Sequence, residues 1–316
     1  MDRDESGTTE IPAGPPADGN TGIEELYQTY KGYAFSIAYR MLGSAADAED
    51  VVQDTFAELQ HRGMSGIQHI RAYIAKGVTN RCLNLMNSAR SRRETYIGEW
   101  LPEPVSAEYE GPEAAAERRD SLSYAFLVLM ERLAPAERAV FVLREAFQYD
   151  YAAIAEMTGK TESNCRQLFS RAKRVLQGDP SARRATSGNV PVSMQLLTRF
   201  TAAFTAYDVD SMLKLLGDHP VLVADGGGRE VHTILRPMAG RKGVTALLTS
   251  RRVMHHLHEW EHTPGLVNGG PALIFTCKGE VTAVLLLSPD HSGEQIEQLY
   301  LMMDPAKLTR IALPAD

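Results

Sequence analysis

Through most of the first 177 residues, apolar side chains recur at helical spacing. From Ile23 to Leu42 the stripe is Leu26, Tyr30, Tyr33, Ala34, Ile37, Ala38 and Met41, and Gly43 follows as a C-terminal cap. Ser44-Ala-Ala-Asp47 opens a second helix over 45–61, with Ala48, Val51, Val52, Thr55, Phe56 and Leu59 inward. A third helix over 69–92 turns Ile70, Tyr73, Ile74, Val78, Cys82, Leu83 and Met86 inward and leaves Arg71, Lys76, Asn80 and Arg81 outside. Pro102 and Pro104 then forbid a continuous helix, so 94–117 reads as a linker. Helical pattern resumes at 118–177, where Pro135 suits a first helical position.

The last two helices of that stretch draw attention. Tyr151-Ala-Ala-Ile-Ala-Glu-Met157 is short and apolar, Gly159 suits a left-handed turn, and Thr161 is a good N-cap. Residues 161–177 then bury Cys165, Leu168, Phe169, Ala172, Val175 and Leu176 and present Ser163, Gln167, Ser170 and Arg174, flanked by Arg166 and Arg171. This pattern fits a DNA-reading helix-turn-helix, and it also fits an ordinary helical hairpin.

Beyond a second linker at 178–192 the periodicity changes. Helices are expected at 194–206 and 208–217, and strands at 221–224, 231–234, 272–277, 281–287 and 295–303, separated by Gly, Pro and Asp turns. Helices followed by a curled antiparallel sheet predict an α+β domain with one apolar concave face.

Charge sharpens this picture. The chain of 316 residues has a net charge of −7, but residues 1–60 hold twelve acids against three bases, whereas 61–189 hold 19 bases against 15 acids. Phosphate neutralisation is short-ranged, so a basic middle region can meet DNA in an acidic protein. Residues 1–22, rich in Pro, Gly and acids, predict a disordered lead-in without signal-peptide character. Cys82, Cys165 and Cys277 form no disulfide framework, which with the lack of a long apolar run predicts a cytoplasmic protein.

Several motifs together resemble a known family. Residues 23–93 resemble region 2 of extracytoplasmic-function (ECF) sigma factors, most strongly at Ala46-Asp-Ala-Glu-Asp-Val-Val-Gln-Asp-Thr-Phe56. Residues 118–177 resemble region 4 at Leu133-Ala-Pro-Ala-Glu-Arg-Ala-Val-Phe141, at Tyr151–Met157, and at Arg166, Arg171 and Ala172. The remainder, 193–316, resembles the SnoaL-like domain fused to one subgroup, with three motifs in support. These are Trp100-Leu-Pro-Glu-Pro104, Asp225-Gly-Gly-Gly-Arg229 where the subgroup usually ends in Lys, and Asp304-Pro-Ala-Lys-Leu308 in place of Asn-Pro-Asp-Lys-Leu. The resemblance implies two all-helical sigma modules followed by an α+β regulatory domain, with no catalysis and no cofactor.

It also implies roles for individual residues. Asp47, Glu49, Asp50, Gln53 and Asp54 would dock on core RNA polymerase, against its clamp coiled coil, with the flap as a further contact. Arg71, Tyr73, Lys76, Asn80 and Arg81 would meet the melted minus-ten strand, although Tyr73 fits a core role equally well. Ser163, Arg166, Gln167, Ser170, Arg171, Lys173 and Arg174 would meet the minus-thirty-five duplex, Ser163 and Gln167 towards bases and the cations towards phosphates. Trp100, Leu101, Pro102, Glu103, Pro104, Asp225, Gly226, Gly227, Gly228, Arg229, Asp304 and Lys307 would join tail to linker and replace a separate anti-sigma partner.

Two rival chemistries are weighed against this. A DNA-binding protein fused to a small-molecule cyclase or isomerase would need a pocket built from groups such as Asp225, His232, Arg236, His256 and Tyr300. His258-Glu-Trp-Glu-His262 matches the zinc-peptidase pattern, with His255 and His256 nearby, but Pro264 and Gly265 follow at once. An extended segment placing His258, Trp260 and His262 on one face is expected instead, with no metal.

Overall fold

The computed structural model describes residues 22–93, 96, 98–106, 123–177, 194–228, 234–251, 254–290 and 292–313, with 89–93 in their backbone alone. The first unit packs α1 (Ile23–Leu42), α2 (Ala45–Arg62) and α3 (Ile70–Arg93) around Ile37, Met41, Val51, Leu59, Ile74 and Val78, all buried. Gly43 ends α1 in the left-handed region at φ 67°, its N–H bonded to the Tyr39 carbonyl at 2.8 Å. A Cβ there would lie 2.9 Å from Glu131 Oε1 and 3.1 Å from the Trp100 ring, so this corner is both conformationally and sterically reserved for glycine.

The second unit holds α4 (Tyr124–Met130), α5 (Pro135–Phe141) prolonged by a π turn at Val142–Ala146, α6 (Tyr151–Thr158) and α7 (Glu162–Gln177). Pro135 opens α5, and Asp150 caps α6 through the Ala153 N–H at 2.7 Å. Gly159 ends α6 in the left-handed region at φ 65°, completing the turn between α6 and α7. The first two units are not separate bodies. The buried Arg138 of α5 donates to the Met41 carbonyl at the end of α1 (2.9 Å) and pairs with Glu131 at 2.5 Å. Tyr33 and Tyr149 join hydroxyl to hydroxyl at 2.5 Å.

The tail contains α8 (Met194–Thr205), α9 (Val209–Leu215), β1 (Leu216–Asp225), β2 (Met238–Ala239), α10 (Arg241–Leu248), α11 (His255–Glu259), β3 (Glu261–Val267), β4 (Gly270–Cys277), β5 (Glu280–Pro289), β6 (Ile296–Met302) and a 3-10 turn at Pro305–Lys307. Its strands form one sheet in the order β2-β1-β6-β5-β4-β3. The sheet is mixed rather than antiparallel throughout, because β1 runs parallel to β6. Register shifts within the β4–β5 and β5–β6 pairs mark irregularities of the kind that bend a sheet.

The expectation of one apolar face is also corrected. Leu273, Phe275, Ala283, Leu285, Leu299 and Leu301 share a core with Phe200 and Phe204 of α8. The alternate residues Ala272, Ile274, Val284, Leu286, Tyr300 and Met302 share the core of the helical units, including Leu101 and Tyr124. Strands covered on both faces read as near-continuous apolar runs, which is how β4 and β5 read. No described helix is long and apolar enough to cross a membrane.

Candidate nucleic-acid interface

Three helix faces and a clamp between tail and linker make up the candidate site. On α2, Asp47, Asp50, Gln53 and Asp54 are exposed while Glu49 is half-buried. Ser44 Oγ accepts from the Asp47 N–H at 3.2 Å, as the capping-box start predicts. A second cap comes from far along the chain: Glu103 Oε2 accepts from Ala45 N (2.7 Å) and Ala46 N (3.3 Å). A carboxylate there satisfies two orphan N–H groups and meets the positive end of the helix dipole.

The outward residues of α3 are mostly engaged inside the protein. Arg71 lies over the Tyr33 ring at 4.5 Å, and Lys76 pairs with Glu156 of α6 at 3.1 Å. Arg81 pairs with Glu58 of α2, and its hydrogen bond holds the Glu58 carboxyl below the usual carboxylate range. Tyr73 is half-buried and accepts from Arg62 at 3.3 Å, so it belongs neither wholly to the core nor to solvent. Asn80 is exposed.

On α7 the arrangement is the opposite. Ser163, Arg166, Gln167, Ser170, Arg171 and Arg174 are all exposed, while Cys165, Ala172 and Leu176 are buried. Val175, expected inward, is 41% exposed, because it sits at the margin of the apolar stripe. Arg166 makes an i,i+4 pair with Glu162 at 2.9 Å. Lys173 turns back over the Phe169 ring (4.7 Å) towards Glu145 (3.7 Å), so it is less free to meet DNA than its neighbours.

The clamp centres on Asp225, whose residue surface is wholly buried. Its Oδ2 accepts from the Leu101 N–H (2.9 Å) and Lys307 Nζ (2.7 Å); its Oδ1 accepts from the Gly227 N–H (3.0 Å) and the Tyr96 hydroxyl. Burial first, and then the Asp225 carboxylate, push the Tyr96 phenol well above its ordinary range. Lys307 also donates to the Leu101 carbonyl (2.8 Å) and lies over the Trp100 ring at 4.2 Å. Gly227 and Gly228 are left-handed at φ 78° and 69°, and a Cβ on Gly227 would come within 3.0 Å of Asp304. Asp304, despite replacing Asn, caps the 3-10 turn through the Ala306 N–H at 3.1 Å.

A second contact was not legible in the sequence. Arg310 pairs with Glu49 of α2 (2.5 Å) and with Glu103 of the linker (2.6 Å). The hydrogen bond with Glu49 leads the interactions that raise the Arg310 guanidinium further above its ordinary range. Asn268 binds linker and helix together, accepting from the Val105 N–H (3.0 Å) and donating to the Tyr39 hydroxyl (2.8 Å). Tyr124 donates to the Pro102 carbonyl at 2.6 Å. Tyr96, Arg310, Asn268, Tyr39 and Tyr124 lack any motif that would single them out.

The comparisons agree with this architecture. Residues 26–92 match the family described as Sigma-70 region 2, and 123–176 match Sigma-70, region 4. The ECF RNA polymerase sigma factor SigJ of Mycobacterium tuberculosis is 33% identical over 225 residues, covering 70% of each chain. The chain belongs to the ECF RNA polymerase sigma factors. The probable ECF sigma factor SigI of the same species is 29% identical over 294 residues, covering 90% of this chain and 94% of that one. The crystal structure of M. tuberculosis SigJ superposes with a TM-score of 0.71 at 26% identity, covering 92% of this chain and 99% of that one. The sigma factor is thus a non-catalytic initiation subunit that binds core RNA polymerase and promoter DNA.

Among the described residues, those considered for a pocket in the tail do not converge. Asp225 and Tyr300 face the linker and α4, Tyr300 lying edge-on to Tyr124 at 5.3 Å, whereas Arg236 and His256 are exposed. His232, Arg229 and the strand expected at 231–234, Ile234 excepted, lie outside the described residues. The expected extended run at His258 is corrected as well. Residues His255–Glu259 form a helix, and the strand begins only at Glu261.

Proposed function

We propose that the tail, a SnoaL-like domain spanning 193–316, governs this sigma factor in cis by holding its two DNA-reading modules, 23–93 and 118–177, in one closed arrangement. The single observation that carries this reading is the buried Asp225, which gathers Leu101, Tyr96 and Lys307 onto one carboxylate. A buried carboxylate resists losing the linker, because Leu101 and Tyr96 supply two of its hydrogen-bond donors and an unsatisfied buried acceptor is costly. Arg310 extends the hold through Glu103 to the N-terminus of α2.

In this arrangement α6 packs against the minus-ten helix α3 and Glu156 engages Lys76, while the minus-thirty-five face of α7 is open. Asp50, Gln53 and Asp54 remain exposed for the clamp coiled coil of core polymerase. The protein works in the cytoplasm, binds core polymerase and the minus-thirty-five duplex first, and uncovers α3 afterwards. Such a tail replaces a separate anti-sigma partner.

Run-off transcription with reconstituted polymerase tests this. A chain ending before Asp304 keeps the sheet but lacks Lys307 and Arg310, and it should initiate several-fold more than the full chain. Unchanged transcription from the shortened chain would overturn the reading.

A further inference from the structure

The structure rearranges the histidines near the zinc-peptidase pattern into a different constellation. The pair that pattern requires, His258 and His262, is not assembled. His258 is stacked between the rings of Phe204 (4.0 Å) and Tyr207 (3.9 Å), with Nε2 at 2.9 Å from the Leu248 carbonyl. His262 lies in β3, with Nε2 at 3.0 Å from Thr205 Oγ1. Each therefore already has a structural role.

One turn earlier, α11 brings His255, His256 and Glu259 together. One ligand atom from each lies within 4.8 Å of the others, and His255 Nε2 is 3.3 Å from Glu259 Oε2. The i,i+4 spacing of His255 and Glu259 stacks them on one face of the helix, and the His256 ring lies 4.1 Å from that of His255. All three side chains reach solvent, which leaves room for water to complete a coordination sphere.

We infer that His255, His256 and Glu259 form a surface site for a borderline divalent transition metal of the zinc class. Two imidazoles and one carboxylate make a nitrogen-rich donor set, which favours zinc, nickel or copper over magnesium or calcium. Protons compete with the metal for the imidazole nitrogens, so affinity falls as the solution is acidified. The site lies on the outer surface of the tail and is independent of the Asp225 clamp, so it can fail without touching the function proposed above.

The test is a zinc titration of the untagged, chelator-treated full chain against a chromophoric competitor. One saturable equivalent is expected, weakened about tenfold or more by His256→Ala and by Glu259→Gln, each exposed and safe for folding. His262→Gln should leave zinc affinity unchanged. Cobalt should give the visible bands of a low-coordinate nitrogen site, and copper should quench Trp260, whose ring is 6.3 Å from that of His256. Absence of saturable binding, binding undiminished in both α11 variants, or equal loss in His262→Gln would each overturn the assignment.

Discussion

At Asp225 the physical argument is about a charge that water cannot reach. Its carboxylate holds two backbone N–H groups, a phenol and an ammonium, and Lys307 is itself only 14% exposed. Asp225→Ala removes the acceptor from all of them. The expected cost is about 3–5 kcal/mol, the range for removing one partner of a buried pair. Urea unfolding of the full chain measures it, with Trp100 emission shifting to the red as the linker detaches. A loss below about 1 kcal/mol would mean that the clamp contributes no more than a surface pair. His258 is the other residue with a readable consequence. Burial first, then the positive fields of His262 and Arg251, lower its pKa, against a raising contribution from the Leu248 carbonyl. The folded state therefore binds fewer protons than the unfolded chain. Stability from this group is complete above the unfolded value near 6.5 and is lost as pH falls towards the lower folded value. The melting temperature should drop on acidification below about pH 6.5, and His258→Phe, which keeps the ring stack, should flatten that slope.

At the scale of elements, periodicity identified helices well and their partners poorly. The apolar stripes of α1, α2 and α7 mark those helices closely, because 3.6-residue periodicity is a local property. Asp225, the glycines and Lys307 were legible as motif members, but Arg310 was not, since its partner Glu49 lies 261 residues away. The sheet was legible as strands but not as a topology. Nothing local to Val223 says that it pairs in parallel with Tyr300. The unbroken apolar runs of β4 and β5 did carry the missed signal that both faces would be covered. Helix α7 then supports a prediction about division of labour. Arg171 and Gln167 are both exposed on the outer face, with the glutamine nearer the N-terminal end. Arg171→Ala should weaken binding to all duplexes and reduce the salt slope by about one phosphate. Gln167→Ala should cost about 1–3 kcal/mol at one base position only. Footprints over a promoter series, at two salt concentrations, separate the two outcomes.

At the scale of the molecule, the question is how firmly α3 is covered. The Lys76–Glu156 pair is open to solvent, with side chains 43% and 76% exposed, so alone it contributes at most about 1 kcal/mol. The firmer hold comes from Arg138 between Glu131 and the Met41 carbonyl, from the Tyr33–Tyr149 contact, and from the tail through Glu103. On the proposed reading a closed state built this way is poised: buried contacts fix the geometry, and a weak exposed pair lies where the melted strand would enter. Glu156→Lys replaces attraction by repulsion at that entry and tilts the balance against the closed state. It should raise affinity for a single-stranded minus-ten oligonucleotide up to about fivefold, as a change of about 1 kcal/mol allows. The gain should shrink at high salt, because the pair is exposed and screened. Fluorescence transfer between labels on α1 and α7 should report a larger separation in the same variant. If affinity rises while the separation stays fixed, the added lysine is simply one more phosphate contact, and the cover over α3 is not what limits DNA entry.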